Sequence, residues 1–67
     1  MRLIALRFTD FDGEFGELDE NNKLHGRGIR IWNNGDIYIG YFENGKWSTG
    51  HYIYISNDGD FIVGKLY

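Results

Sequence analysis

The 67-residue chain contains no cysteine and no proline. Without cysteine it can form neither a disulfide nor a thiolate metal site, so the fold has no covalent staple. No apolar run approaches the roughly 18–20 residues of a membrane-spanning helix. The start of the chain does not read as a secretory signal, because Arg2 and Arg7 flank only the four apolar residues Leu3 to Leu6. A cytoplasmic setting is the expectation. Positive charge is also scarce: seven bases stand against ten acids, giving a net charge of −3 and a pI near 5.1. Arg2, Arg7, Lys23, Arg27, Arg30, Lys46 and Lys65 form no polybasic run, which argues against direct nucleic-acid binding and attachment to anionic lipid.

Glycine and aromatics are abundant, with 10 glycines and 12 Phe, Tyr and Trp residues. A 7.8 kDa chain forms one domain and buries only about 60% of its unfolded surface. Burial and conformational entropy then nearly cancel, and each glycine adds to the entropy lost. Ten glycines therefore call for a structural reason.

An internal repeat supplies it. Residues 25–40, HGRGIRIWNNGDIYIG, align without a gap to residues 49–64, TGHYIYISNDGDFIVG, at an offset of 24 with seven of 16 positions identical. Upstream, Phe11-Asp12-Gly13-Glu14-Phe15 parallels Tyr38-Ile39-Gly40-Tyr41-Phe42, which implies three extra residues in the loop after Phe15.

Each full copy reads as a β-hairpin. The strands are β-branched and aromatic, and Asn33-Asn34-Gly35 and Asn57-Asp58-Gly59 have turn chemistry. Parity selects the loop length. A three-residue loop pairs Ile31 with Ile37, Ile29 with Ile39, Ile55 with Phe61 and Ile53 with Val63 on one face, with Arg30 opposite Tyr38 on the other. A one-residue slip would exchange the faces. That loop closes on a left-handed residue, the role predicted for Gly35 and Gly59. Glycine interrupts every window of helical periodicity. The predicted fold is all-β: an antiparallel meander of consecutive hairpins, preceded by an N-terminal edge strand within residues 1–10. The first repeat covers 11–37, the second 38–61, and a truncated third 62–67, all within a single domain.

The pattern resembles the MORN (membrane occupation and recognition nexus) repeat. The matching elements are the aromatic-x-Gly-x-aromatic strand Tyr38–Phe42, the Gly-x-Gly of Gly26 and Gly28, and the Gly-Asp turn of Gly35-Asp36. The likeness covers residues 11–66. It departs where Gly50-His51-Tyr52 lacks a second glycine, where Ile62 and Leu66 replace aromatics, and around Trp47, where the loop is stretched. A degenerate last repeat is what a cap would look like. The resemblance implies a ribbon of hairpins, a protein partner, dimerisation and, by the family's name, attachment to membranes or phosphoinositides.

Both faces of such a ribbon are apolar. One is expected to carry Phe11, Phe15, Trp32, Tyr38, Phe42, Tyr52 and Tyr54, lying on bare strand glycines such as Gly13, Gly26, Gly28, Gly40 and Gly64. The other carries Ile29, Ile31, Ile37, Ile39, Ile53, Ile55, Phe61 and Val63. A solvated antiparallel sheet normally has a polar face. With Leu66 at an open last edge, these residues are the candidates for edge-to-edge or face-to-face homodimerisation.

Catalysis is not expected. His25 and His51 occupy non-equivalent repeat positions, the serines are only Ser48 and Ser56, and no nucleophile–base–orienter set assembles. No cofactor or metal is expected either. Asp-x-Asp-Gly at Asp10–Gly13 lacks the ligand set of a calcium loop. The leading functional expectation is a non-catalytic protein–protein interaction module or adaptor that self-associates, with Trp47 in the connection between hairpins as a partner contact. Asp10, Asp12, Glu14, Glu17, Asp19 and Glu20 place six of the ten acids within 11 residues. This strip suggests an alternative role as a small acidic inhibitor occluding a basic, nucleic-acid-binding partner.

Overall fold

The computed structural model describes residues 3–8 and 12–67. Seven strands make a single antiparallel sheet: β1 (Leu3–Phe8), β2 (Gly13–Leu18), β3 (Leu24–Ile31), β4 (Ile37–Glu43), β5 (Lys46–Trp47), β6 (Gly50–Ile55) and β7 (Phe61–Leu66). The spatial order is β1-β2-β3-β4-β6-β7, with the short β5 also paired to β4. No helix occurs among the described residues. The expected meander of hairpins is therefore the observed fold. The Phe11 and Asp10 positions lie outside the described residues.

The strands pair in the register that parity selects, residue by residue. Ile31 pairs with Ile37, Arg30 with Tyr38, Ile29 with Ile39 and Gly28 with Gly40. Ile55 pairs with Phe61 and Ile53 with Val63. In both turns the residue that must reverse the chain is glycine, with φ +96° at Gly35 and +95° at Gly59. The turns close identically, through Trp32 N–H to Asp36 C=O at 2.9 Å and Ser56 N–H to Asp60 C=O at 2.8 Å. The β2–β3 turn repeats the geometry, from Asp19 N–H to Lys23 C=O at 2.8 Å, with Asn22 in the left-handed position at φ 63°. Asn44 and Gly45, both at positive φ, form the two-residue turn between β4 and β5.

The upstream copy has a different anchor from the one expected. Gly16, not Gly13, pairs with Gly28, and Gly28 pairs with Gly40. Glu14-Phe15-Gly16-Glu17-Leu18 thus corresponds to Tyr38–Phe42 and to Ile62–Leu66, at an unbroken spacing of 24. No extra residues are needed in the loop. Phe15 consequently stands opposite Ile29 on the isoleucine face, not with the aromatic residues. The copy is disguised because Glu14 occupies the position that Tyr38 holds one repeat later.

Tyr38, Phe42, Leu24 and Leu18 form the buried core, with Ala5, Trp32, Tyr52 and Tyr54 packed against it. All lie on one face of the sheet. Tyr38 is sandwiched between Trp47, at a centroid distance of 4.2 Å with planes 5° apart, and Tyr52, at 5.6 Å and 18°. Phe42 meets Tyr38 edge-on at 5.4 Å. The rings rest on glycine. A Cβ on Gly28 would come within 2.9 Å of the Phe42 ring, one on Gly40 within 2.9 Å of the Tyr38 hydroxyl, and one on Gly64 within 2.6 Å of the Tyr52 ring. Gly13 performs the same service on the opposite face, for Phe8. Gly26 and Gly50, 24 residues apart, have positive φ of +100° and +126°, and Gly26 lies where the β2–β3 pairing shifts register.

Trp47 is not in an unregistered loop. It pairs with Phe42 in β5 and folds back over the aromatic face, touching Trp32 and Tyr54 as well as Tyr38. One layer results: 36 × 31 × 14 Å in principal extents. Its accessible surface of 4955 Å² exceeds the roughly 4,400 Å² of an average folded chain of this mass. The excess reflects a sheet covered on one side by its own rings and, among the described residues, by nothing on the other.

Candidate functional site

The uncovered side is the isoleucine face, and its pairing explains its continuity. Phe8, Ile31, Ile37, Ile55 and Phe61 line one row across the sheet, while Leu6, Phe15, Ile29, Ile39, Ile53 and Val63 line the next. Strand alternation puts every one of them on the same side. Phe15, Ile31, Ile39 and Ile53, in the middle strands, are 36–46% exposed. Ile4, Leu6, Phe8, Phe61 and Val63, on the two outermost strands, are 64–70% exposed. The face is concave. A trough of about 600 Å³ runs across it between Phe15, Ile29, Ile39, Tyr41, Ile53 and Val63. Polar side chains enter only further along the strands, where Glu17 faces Ile4, Arg27 faces Tyr41 and His51 faces Lys65.

All eight of the β-branched and aromatic residues expected on this face, from Ile29 to Val63, are there. Leu66 is not. It pairs with Gly50 and, two residues beyond Gly64, projects to the aromatic side, where it is half-buried. Trp47 remains 43% exposed although it stacks on Tyr38, so it presents an edge of the aromatic cluster to solvent.

Among the described residues the acidic side chains do not gather into one strip. Glu14 lies on the aromatic side, between two arginines: Arg30 Nη2 donates to Oε1 at 2.6 Å and Arg7 Nη2 to Oε2 at 2.7 Å. Partial burial pushes the Glu14 carboxyl up, but the hydrogen bonds from Arg30 and Arg7, with their charges, outweigh it and hold the group below the usual carboxylate range. Arg30 also reaches the Gly45 carbonyl at 3.2 Å and lies 5.5 Å from the centroid of the Phe42 ring. Arg7 caps the Asn22 carbonyl at 2.8 Å. These contacts tie β1, β2, β3 and the β4–β5 turn together. Glu17 is on the opposite face. Asp19 turns inward on its own loop and accepts the N–H groups of Asn21 and Lys23 at 2.8 and 3.0 Å. The Lys23 N–H is the main reason its carboxyl is held low. Glu20 is exposed in the same turn, Asp12 precedes β2 half-buried, and Asp10 lies outside the described residues.

Two features of the site are not obvious in the sequence. Leu18 and Leu24, which flank the acidic turn, are buried beneath the aromatic cluster. Their signal is positional: Leu18 is 24 residues before Phe42. The second is Asp36. Its carboxylate accepts the Tyr54 hydroxyl at 2.7 Å and the Asn57 N–H at 2.8 Å, linking one hairpin to the next. The hydrogen bond to Asp36, then burial and the nearby negative charge, push the Tyr54 hydroxyl above its ordinary pKa. In the last turn Asp58 accepts the Ser56 hydroxyl and the Asp60 N–H, which hold its carboxyl low. No group of three or more His, Asp or Glu side chains able to hold a metal occurs among the described residues, nor does any helix long and apolar enough to cross a membrane.

No protein-family model matches the chain, and no solved structure matches it. An inactive protein tyrosine kinase, pTKL, of Plasmodium berghei (strain Anka) is 42% identical over 50 residues, which is 75% of this chain and 4% of that protein. The chain thus spans a small fraction of the length of the curated relative it matches.

Proposed function

We propose that this chain is a non-catalytic protein–protein interaction module built on MORN-like repeats, that its contact surface is the isoleucine face, and that it associates with itself. The observation that carries the reading is that face: contiguous, apolar, concave and bare. The whole face, with its polar end at Glu17, Arg27, His51 and Lys65, is bounded by the 36 × 31 Å of the sheet, on the order of 1,000 Å² per copy against the roughly 800 Å² a partner contributes to a standard interface. Monomeric proteins seldom leave more than about 300–600 Å² of apolar patch open. The unbroken period of 24, now traced through Gly16, Gly40 and Gly64, supports the repeat assignment. A cytoplasmic setting goes with the reading.

Substitution of Ile29 and Ile53 by threonine tests it. Threonine keeps the β preference and removes the apolar surface. Light scattering is expected to show the wild-type chain above 7.8 kDa at micromolar concentration and the double variant shifted toward 7.8 kDa, with the same far-ultraviolet dichroism. A variant that associates as strongly as the wild type would remove the face from the account.

A further inference from the structure

The isoleucine face carries a third row, and that row is polar. Two residues beyond Phe15, Ile29, Ile39, Ile53 and Val63 stand Glu17 on β2, Arg27 on β3, Tyr41 on β4, His51 on β6 and Lys65 on β7. Strand alternation keeps them on the side of the isoleucines. Glu43 and Lys46, a cross-strand pair of β4 and β5, lie just beyond. Glu17 is half-buried and the other six are exposed. Charge is therefore ordered across the sheet. An acid stands on β2, Arg27 and the Tyr41 ring stand at the centre, and the bases Lys46, His51 and Lys65 stand beyond β4.

A second copy can cover this face about a two-fold axis that runs either across the strands or along them. An axis across the strands lays the polar row on the row of Ile31, Ile37 and Ile55. It sets Arg27 over Ile31 and His51 over Ile55, which takes charge out of water with no partner. An axis along the strands lays each row on its own counterpart and reverses the strand order. Placed between β3 and β4, it brings Phe15 over the second copy's Ile53, Ile29 over its Ile39 and Ile31 over its Ile37. In the polar row Glu17 then comes over the second copy's His51, among Lys46 and Lys65, and Arg27 over the Tyr41 ring beside Glu43. A shift of the axis loses this match. Moved onto β3 it sets Arg27 on Arg27, and moved onto β4 it sets Arg27 on His51.

We propose that two copies close face to face into a β-sandwich, about a two-fold axis along the strands between β3 and β4, with Glu17 of each copy against His51 of the other. This deepens the self-association reading above and rests on it. The sheets lie about 10 Å apart with their strands aligned to within about 30°, and the side chains of each copy interdigitate across the trough of the other. The apolar rows supply the buried surface and the polar row sets the register. The contact is isologous, so every pairing occurs twice and the assembly closes at two copies.

Two charge reversals test the pairing. Glu17→Lys sets lysine against the second copy's His51, twice per dimer, and His51→Glu sets glutamate against its Glu17. Each variant alone is expected to dimerise with a dissociation constant raised about tenfold or more, because like charges then face each other. Mixed 1:1, the two variants restore both pairings, lysine 17 with glutamate 51 and Glu17 with His51. The mixture is therefore expected to recover the wild-type mass, which rises with concentration to twice 7.8 kDa and no further. Variants that dimerise as tightly as the wild type, or a mixture no tighter than either alone, overturn this register and leave self-association standing. A wild-type mass that continues past twice 7.8 kDa overturns the closed pair in the same way. A wild-type chain that stays at 7.8 kDa overturns this proposal and the self-association reading together. Circular dichroism checks folding. If a reversal unfolds the chain, Glu17→Cys and His51→Cys replace the pair, since the sequence has no other cysteine. A short bismaleimide is expected to join the two variants in a mixture and neither to itself, because like positions then stand three strands, about 14 Å, apart. Cross-linking of either variant alone overturns the proposal.

Discussion

The smallest side chain decides where the largest ones go. The Phe42 ring occupies the space above Gly28 that a methyl group would fill. Gly28→Ala is therefore expected to force the ring out of the core and to cost about 1–3 kcal/mol, the usual range for overpacking. Urea denaturation measures it, and an unchanged midpoint would show that the ring has somewhere else to lie. Tyr38 makes the opposite case. Its hydroxyl is buried without a hydrogen-bond partner, and burial, with the neighbouring Tyr52, pushes its pKa above the ordinary phenolic value. Tyr38→Phe keeps the ring stacked on Trp47 and Tyr52 and removes the unsatisfied group. It is expected to be neutral or to stabilise by up to about 1 kcal/mol. A loss of stability in the same denaturation experiment would mean the hydroxyl has a partner.

At the scale of the element, what joins one strand or hairpin to the next is a carboxylate. Glu14 holds β1 and β3 to β2 through Arg7 and Arg30. Its folded pKa lies below its unfolded value, so its contribution is fully present above the unfolded pKa near 4.3 and is lost as pH falls through the folded one. Glu14→Gln should cost about 1 kcal/mol at neutral pH and flatten the acid limb of the stability curve below about pH 4. An acid limb as steep as the wild type's would place the effect elsewhere. Asp36 joins β3–β4 to β6–β7. Asp36→Ala should raise amide hydrogen exchange in β6 and β7 more than in β2 and β3, because the outer hairpin is fastened by that side chain. A uniform rise would show that the sheet opens as one unit.

The hairpins were legible because period-two alternation allows one register only. Ile29, Ile31, Ile37 and Ile39 can share a face in one pairing, and the turn glycines follow from it. The first copy was hidden for a physical reason. Rings on both sides of a glycine point to Phe11, Gly13 and Phe15, whereas the position equivalent to Tyr38 is Glu14. In the folded chain an arginine pair does there what stacked rings do later, and residue identity does not reveal that substitution of one cross-strand contact for another. Trp47 lies in a strand and not in a connection because Asn44-Gly45 is a two-residue turn that folds β5 back on β4, a turn that the stretched spacing of the repeat conceals. The acidic strip dissolved because parity sends Glu14 and Glu17 to opposite faces and Asp19 caps its own turn.

Taken as a whole, the molecule is one layer thick. Its aromatics finish one side, and no segment of the described chain returns to cover the other. A domain normally packs two layers around its core, so the second layer here must come from outside the chain or be absent. The account rests on the first alternative. The direct measurement is the mass of the purified 67-residue chain by light scattering across a concentration series from micromolar upward. The account predicts a mass that exceeds 7.8 kDa and rises with concentration. A constant 7.8 kDa at every concentration, with cooperative unfolding, would show that the bare face is stable in water and would contradict it.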